Sequence, residues 1–161
     1  MLARRDAGDV PRMPGGAGDV RILIADDHAP MRTLLREELE GAGFEVCGEA
    51  VSGPEALEAA LRERPDLCLL DVLMPGGDGM AAAREIRKAL PATKIVMVTA
   101  VPDEEGVVAA ARVGADGYLA KDLDLTRLPE IIRAVAAGEA AYPRRLLPHV
   151  LAGLTDATKR P

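Results

Sequence analysis

Five short apolar segments alternate along the chain with longer segments in which apolar residues recur at helical spacing. The third short segment, residues 67–70, is a continuous apolar run that ends at Asp71, and Pro75 breaks the chain soon afterwards. An apolar run of strand length indicates a strand that is covered on both faces. The other four short segments are residues 20–25, 44–50, 94–98 and 116–120.

The longer segments carry the signals of helix starts. Pro30 opens the first, and Ser52 begins an S-x-x-E capping box at the second. Asp78 and Asp103 stand where N-caps of the third and fourth helices are expected, and Pro129 places the start of the fifth near residue 126. Strands that alternate with helices predict an α/β fold: a doubly wound, five-stranded parallel sheet with helices on both faces.

The 161 residues divide into one domain and two arms. Residues 1–19 are rich in Gly, Pro, Arg and Asp without a hydrophobic period, which predicts a disordered arm. Residues 20–138 form the predicted domain, and residues 139–161 form a tail with enough apolar positions for one short linker helix. No apolar stretch approaches the length of a membrane span.

Composition excludes several functions. A net charge of −6 and an aromatic content of 2% argue against a nucleic-acid-binding domain. Ser52 is the only serine and is used as a helix cap, so serine hydrolysis lacks a nucleophile. Cys47 and Cys68 lie inside apolar runs without metal-type spacing, which predicts free thiols in a reducing cytoplasm.

Polar residues at the ends of the strands carry the candidate chemistry. The groups are Asp26 and Asp27 after the first strand, Asp71 after the third, Thr99 after the fourth and Lys121 after the fifth. The carboxyl ends of parallel strands share one edge of the sheet, so we expect these groups to converge. Two carboxylates about 4 Å apart repel by about 4 kcal/mol at an effective dielectric constant of about 20, so the cluster requires cations. Oxygen ligands favour Mg²⁺ or Mn²⁺.

This set of groups suits phosphoryl transfer. Asp71 is the expected nucleophile, because a carboxylate can accept a phosphoryl group as an aspartyl phosphate. Asp26 and Asp27 would hold the metal, while Thr99 and Lys121 would contact phosphoryl oxygens. Each residue alone has an ordinary alternative, as a turn residue or a surface residue; the five together favour the functional interpretation.

The sequence resembles the receiver domain of two-component response regulators over residues 20–137. The motifs are IADDH at 24–28, LLDVLMPGGDG at 69–79, VTA at 98–100 and GADGYLAKD at 114–122, and they are most similar to the NarL/LuxR-type subgroup. The resemblance implies a strand order of 2-1-3-4-5, the receiver variant of the flavodoxin-like fold. It implies phosphorylation of Asp71 by a sensor histidine kinase rather than turnover catalysis. It also implies Mg²⁺ held by Asp27, Asp71 and the Leu73 carbonyl, with Asp26 assisting through water.

The resemblance further implies a switch in which Thr99 moves toward the phosphoryl group and Tyr118 turns inward. The alternative is that Tyr118 is a fixed edge residue with its hydroxyl in water. Transcription regulation and phosphorylation-dependent homodimerisation would follow from the subgroup, although its helix-turn-helix domain has no counterpart in these residues. The chain is therefore expected to be either part of a longer regulator or a stand-alone receiver acting through protein contacts.

Two other classes compete with this interpretation. A Mg²⁺-dependent aspartyl phosphatase of the haloacid-dehalogenase kind shares the sheet and the nucleophile, but its D-x-D-G-[TS] motif is absent, since Asp26 and Asp27 are adjacent. A degenerate, unphosphorylated interaction module would lack one or more of the five groups, and here all five are present.

Overall fold

The computed structural model of the chain describes residues 20–75 and 79–159, with side chains up to Gly153. The predicted disordered arm, residues 1–19, and the predicted helix cap Asp78 lie outside the described residues. The division of the chain into arm, domain and tail stays a prediction.

The sheet has five parallel strands in the order β2-β1-β3-β4-β5. They are β1 (Arg21–Ala25), β2 (Glu45–Ala50), β3 (Leu67–Asp71), β4 (Lys94–Thr99) and β5 (Gly117–Ala120). All five residues of β3 are buried, as its unbroken apolar run predicts for a strand between two helical layers. The predicted fold class and strand order are confirmed.

Six α-helices accompany the sheet in the described part of the chain: α1 (Ala29–Gly41), α2 (Gly53–Glu63), α3 (Gly79–Ala89), α4 (Glu104–Arg112), α5 (Leu128–Ala136) and α6 (Leu147–Lys159). Apolar residues of α1 and α5 pack against one face of the sheet, and those of α2, α3 and α4 pack against the other. The sheet therefore lies between two helical layers.

Local hydrogen bonds account for the helix starts. The Ser52 hydroxyl accepts a hydrogen bond of 3.2 Å from the Glu55 N–H, and the Asp103 carboxylate accepts one of 2.7 Å from the Gly106 N–H. Near the predicted start of the fifth helix, a 3₁₀ turn over Leu125–Arg127 precedes α5. Pro129 then lies in the first turn of α5, where its missing N–H costs no hydrogen bond.

The tail after α5 packs against α4. Leu146 and Val150 are buried in the same cluster as α4 residues, and the Arg112 guanidinium donates to the Gly153 carbonyl at 3.4 Å. Gly153 permits this close approach, because a Cβ there would overlap the Val108 side chain. The tail therefore forms a helix, α6, that packs beside α4, and its role as a linker stays a prediction.

Neither cysteine forms a disulfide. Cys47 and Cys68 are free thiols, on strands that β1 separates. Burial raises the pKa of the Cys68 thiol well above its usual range, which makes the thiol unreactive. No described helix combines the length and apolar character needed to cross a membrane.

Candidate functional site: an acidic pocket at the strand ends

The sheet topology brings together residues that are far apart in sequence. β1 and β4 both pair with β3, and β5 pairs with β4, so the residues that end or follow these strands lie along one edge. We call the three acids found there, Asp26, Asp27 and Asp71, the acidic pocket. Their carboxylates offer oxygen atoms that all lie within 4.8 Å of one another. The predicted convergence of the acids is present in the structure.

Lys121 bridges the two buried acids of the pocket. Its Nζ lies 2.9 Å from Asp26 Oδ2 and 2.9 Å from Asp71 Oδ2. Burial opposes the charged form of this lysine, but hydrogen bonds to Asp71 and Asp26 outweigh it and raise the pKa of Lys121. The ammonium is therefore positively charged throughout the neutral pH range.

Asp71 experiences an excess of negative charge. Only 5% of its surface is exposed, and burial raises the pKa of its carboxyl, as does the neighbouring Asp26, while the Lys121 ammonium acts in the opposite direction. One ammonium offsets one of the two buried carboxylates, and Asp27 adds a third. The pocket thus attracts further positive charge.

The pocket is open to solvent on one side. Asp26 and Asp71 are 2% and 5% exposed, respectively, whereas Asp27 is exposed. Asp27 is therefore the acid of the pocket that is most accessible to solvent. An all-oxygen set of this kind could hold a metal ion, and oxygen donors favour a hard cation such as Mg²⁺ over zinc.

Main-chain N–H groups fix the orientation of both buried carboxylates. The His28 N–H donates to Asp26 Oδ1 at 2.9 Å, and the Leu73 N–H donates to Asp71 Oδ1 at 3.3 Å. Each buried carboxylate therefore has one oxygen bonded to the backbone and the other to Lys121. The Leu73 side chain extends into solvent, and its carbonyl stays a predicted metal ligand.

The two predicted switch residues lie on the neighbouring strands β4 and β5. Thr99 ends β4 and is buried, and its hydroxyl accepts a hydrogen bond from the Val101 N–H at 3.3 Å. Tyr118 is 1% exposed, and its hydroxyl accepts from the Asp103 N–H at 3.3 Å. The alternative in which this hydroxyl faces water does not fit that geometry. Gly106 leaves the room for the ring, because a Cβ there would overlap the Tyr118 hydroxyl.

Sequence reasoning missed one side chain that supports the pocket. The guanidinium of Arg32, on α1, donates to the main-chain carbonyl of Asp26 at 2.8 Å. The only sequence signal was a cation five residues after the acid pair, in the first turn of the predicted helix, and such cations are common on helix surfaces. Every residue has a main-chain oxygen, so a contact to one cannot be predicted from the residue types in the sequence.

Comparisons with known proteins identify the family of the chain. The response regulator receiver domain family matches residues 22–133. The chain is 40% identical over 124 residues to the uncharacterized transcriptional regulatory protein YxjL of Bacillus subtilis, covering 76% of this chain and 57% of YxjL. It is 37% identical over 134 residues to the nitrate/nitrite response regulator NarL of Escherichia coli, covering 83% of this chain and 62% of NarL.

A solved structure gives the same result. A LuxR-family two-component response regulator from Aurantimonas superposes with a TM-score of 0.76 at 29% identity, covering 84% of this chain and 98% of that one. A parallel sheet with an acidic pocket at its carboxyl edge fits both receivers and aspartyl phosphatases, and the family match decides between the two classes. The chain belongs to the response regulator receiver domain family, and it is similar to NarL/LuxR-type regulators.

The family places limits on the function. The chain is a two-component response regulator receiver whose pocket is formed by Asp26, Asp27 and Asp71. Receivers are phosphoacceptors rather than turnover enzymes. The chain spans about three fifths of the length of YxjL and of NarL.

Proposed function

We propose that Asp71 accepts a phosphoryl group from a sensor histidine kinase, and that this modification controls transcription. The observation that carries the proposal is the pairing of Lys121 with buried Asp71 and Asp26 beside the exposed acid Asp27. An ion pair with a purely structural role would need only one acid to pair with Lys121. Three acids around one ammonium form a site that gains stability when positive charge and phosphoryl oxygens enter together.

In the transfer, an Asp71 carboxylate oxygen attacks phosphorus as the bond to the phosphohistidine nitrogen breaks. The nitrogen leaves with the bonding electron pair, and the product is an aspartyl phosphate. Lys121 exchanges a carboxylate contact for a phosphoryl oxygen, so its charge is held at the atoms where negative charge collects. The Leu73 N–H keeps the second Asp71 oxygen oriented during the attack.

The donor set fits a divalent cation. Asp26, Asp27, Asp71 and the Leu73 carbonyl would hold Mg²⁺, with Mn²⁺ as a substitute, because all are oxygen donors and the pocket has excess negative charge. When bound, the cation supplies the positive charge that offsets the phosphoryl oxygens. Asp27, being exposed, would be the ligand through which the ion enters.

Phosphorylation would be transmitted through Thr99. A phosphoryl oxygen is a strong acceptor, so we propose that the Thr99 hydroxyl donates to it and that the side chain, by moving toward the phosphoryl group, withdraws its oxygen from the Val101 N–H. Val101 and Asp103 lie in the same short loop before α4, and Asp103 holds the Tyr118 hydroxyl. The loop therefore links the phosphorylation site to Tyr118 as a two-state element.

NMR of the domain with and without acetyl phosphate tests this link. We expect phosphorylation to shift the ring resonances of Tyr118 and the amide resonances of Asp103 and Gly106. Tyr142 is the internal control, because its hydroxyl bonds to the Ala115 carbonyl away from the pocket, and its shifts should be smaller. Unchanged Tyr118 resonances in a phosphorylated sample would rule out the switch.

Intact mass after incubation with acetyl phosphate and Mg²⁺ tests the phosphoacceptor. Wild type should gain the mass of one phosphoryl group, and Asp71→Asn should gain none, because an amide cannot form the aspartyl phosphate. Asp122→Asn is the matched control, since this exposed acid follows Lys121 directly in sequence. A phosphorylated Asp71→Asn protein would refute the assignment, as would a wild type that remains unmodified.

The role in transcription rests on the relatives. YxjL is named as a transcriptional regulatory protein, and NarL as a nitrate/nitrite response regulator. None of the described residues forms a DNA-binding unit, so we propose that the receiver acts through contacts with another domain or protein, including a second copy of itself. A sensor kinase with a cytoplasmic phosphohistidine would meet it in the cytoplasm, a location that the two free thiols favour.

A further inference from the structure

We infer that Arg32 is a positioning residue for the acidic pocket: its guanidinium holds the peptide that joins Asp26 to Asp27, and so sets the direction in which Asp27 leaves the strand. This inference rests on the proposed function. Arg32 lies on α1, outside the pocket, and its Nη1 donates to the Asp26 main-chain oxygen at 2.8 Å. It touches neither the Asp26 carboxylate nor Asp71 in any hydrogen bond of the described structure.

Asp26 is bonded through every polar group that it has. Its N–H donates to the Ala50 carbonyl at 3.0 Å, its Oδ1 accepts from the His28 N–H and its Oδ2 accepts from Lys121. The carbonyl accepts from Arg32. Of these four partners, Arg32 alone acts on the peptide plane between the two acids. Because adjacent residues share that plane, its orientation decides where the Asp27 carboxylate can lie.

Glu49 fixes Arg32 in turn. Arg32 Nε donates to Glu49 Oε1 at 2.9 Å, and Glu49 extends from β2, next to β1 in the sheet. The carboxylate offsets the charge of the guanidinium, so the contact to Asp26 is geometric more than electrostatic. Arg suits this task because its planar fork reaches both oxygens at once, which a lysine ammonium on a flexible stem cannot reproduce.

Arg36 provides a matched control. It lies one turn further along α1 and pairs with the other oxygen of Glu49, so it shares the link between α1 and β2. Its remaining contacts are to Glu40 and the Val46 carbonyl, with none to Asp26. If Arg32 served only to join α1 to β2, replacing Arg32 and replacing Arg36 should have the same effect on Mg²⁺ binding.

The experiment measures Mg²⁺ affinity by calorimetry and stability by urea unfolding, for wild type, Arg32→Met, Arg32→Lys and Arg36→Met. We expect Arg32→Met to weaken Mg²⁺ binding about tenfold, the size of effect seen when outer partners of metal ligands are removed. Arg36→Met should leave the affinity within about twofold at a comparable loss of stability. Arg32→Lys, which keeps the charge, should recover little of the affinity.

Two results would overturn the inference: unchanged Mg²⁺ affinity in Arg32→Met, or equal losses in Arg32→Met and Arg36→Met. Full recovery in Arg32→Lys would also overturn it, since charge alone would then suffice. If Arg32→Met does not fold, Glu49→Gln takes its place in the experiment. We expect Glu49→Gln to weaken Mg²⁺ binding by less than tenfold, but by more than Arg36→Met does. A wild type that binds no Mg²⁺ would instead refute the metal site of the proposed function.

Discussion

Replacing Lys121 with methionine is expected to lower the free energy of unfolding of the metal-free protein by about 3 kcal/mol at pH 7. Breaking a buried ion pair costs about 3–5 kcal/mol, and the lower end applies because 21% of the Lys121 side chain is exposed. Methionine keeps an unbranched apolar stem but has no ammonium, so the loss of stability measures what the ammonium contributes. Without it, the Asp26 and Asp71 carboxylates face each other with no cation between them.

The pH dependence of this loss follows from the pKa shifts. The pKa of Lys121 is raised above 10.5, so on the alkaline side the lysine keeps its charge, and its pairing is lost only as the pH rises through its folded pKa. The pKa of Asp71 is raised above 3.8, so ionising Asp71 costs stability as the pH rises through its folded pKa. The cost of Lys121→Met should therefore be smaller at pH 4 than at pH 7, because Asp71 loses its charge as the pH falls through its raised pKa.

Urea unfolding at both pH values measures this difference. Lys88→Met is the control: its ammonium is exposed and pairs with Glu85 at 3.5 Å, and removing such a pair changes stability by at most about 1 kcal/mol. Adding Mg²⁺ at pH 7 should restore part of the stability of Lys121→Met. An equal loss at pH 4 and pH 7 would mean that packing of the lysine stem, rather than its charge, stabilises the pocket.

The convergence of the pocket residues was predictable because one rule of topology generates it. Apolar runs of strand length give the strands, alternation with helices makes them parallel, and parallel strands end at a common edge. Asp26, Asp71 and Lys121 follow from this rule, and the structure brings them into contact. Thr99 lies at the same edge, but its hydroxyl bonds to the Val101 N–H, a local turn contact that strand patterns do not reveal.

The sequence could not show which of the two adjacent acids, Asp26 or Asp27, is buried and which is exposed. Side chains of successive residues at a strand end point to opposite sides, and nothing in the pair itself decides which side is the interior. The structure buries Asp26 and exposes Asp27. The packing partner of the tail could not be predicted either. Leu146 and Val150 have helical spacing, but only the tertiary structure shows that they pack beside α4.

Replacing the glycine that lies against Asp71, the proposed phosphoacceptor, is the second change for which we expect a large effect. Gly79 begins α3, and its N–H donates to the Val72 carbonyl at 2.7 Å. A Cβ at this position would overlap the Asp71 main-chain carbonyl, and it would also press on the Met97 side chain. Main-chain atoms of a buried strand cannot rotate aside as a flexible side chain can, so α3 or the end of β3 must shift.

Gly79→Ala is therefore expected to lower the free energy of unfolding by about 3 kcal/mol, the upper range for overpacking a buried site. This loss exceeds the gain of about 0.5–1 kcal/mol that alanine normally brings to a helix. Phosphorylation by acetyl phosphate should fall as well, because any shift at the end of β3 moves Asp71 away from Lys121. Urea unfolding and intact mass measure the two effects on one sample.

Gly41→Ala separates crowding from helix propensity. Gly41 ends α1, and an added Cβ there would meet no atom within 4 Å, so the same substitution should leave stability unchanged or raise it by about 0.5 kcal/mol. Opposite signs at the two positions would show that the close approach of α3 to Asp71 is the cause. A Gly79→Ala protein as stable and as readily phosphorylated as wild type would mean that β3 and α3 can separate by the width of a methyl group without disturbing the pocket.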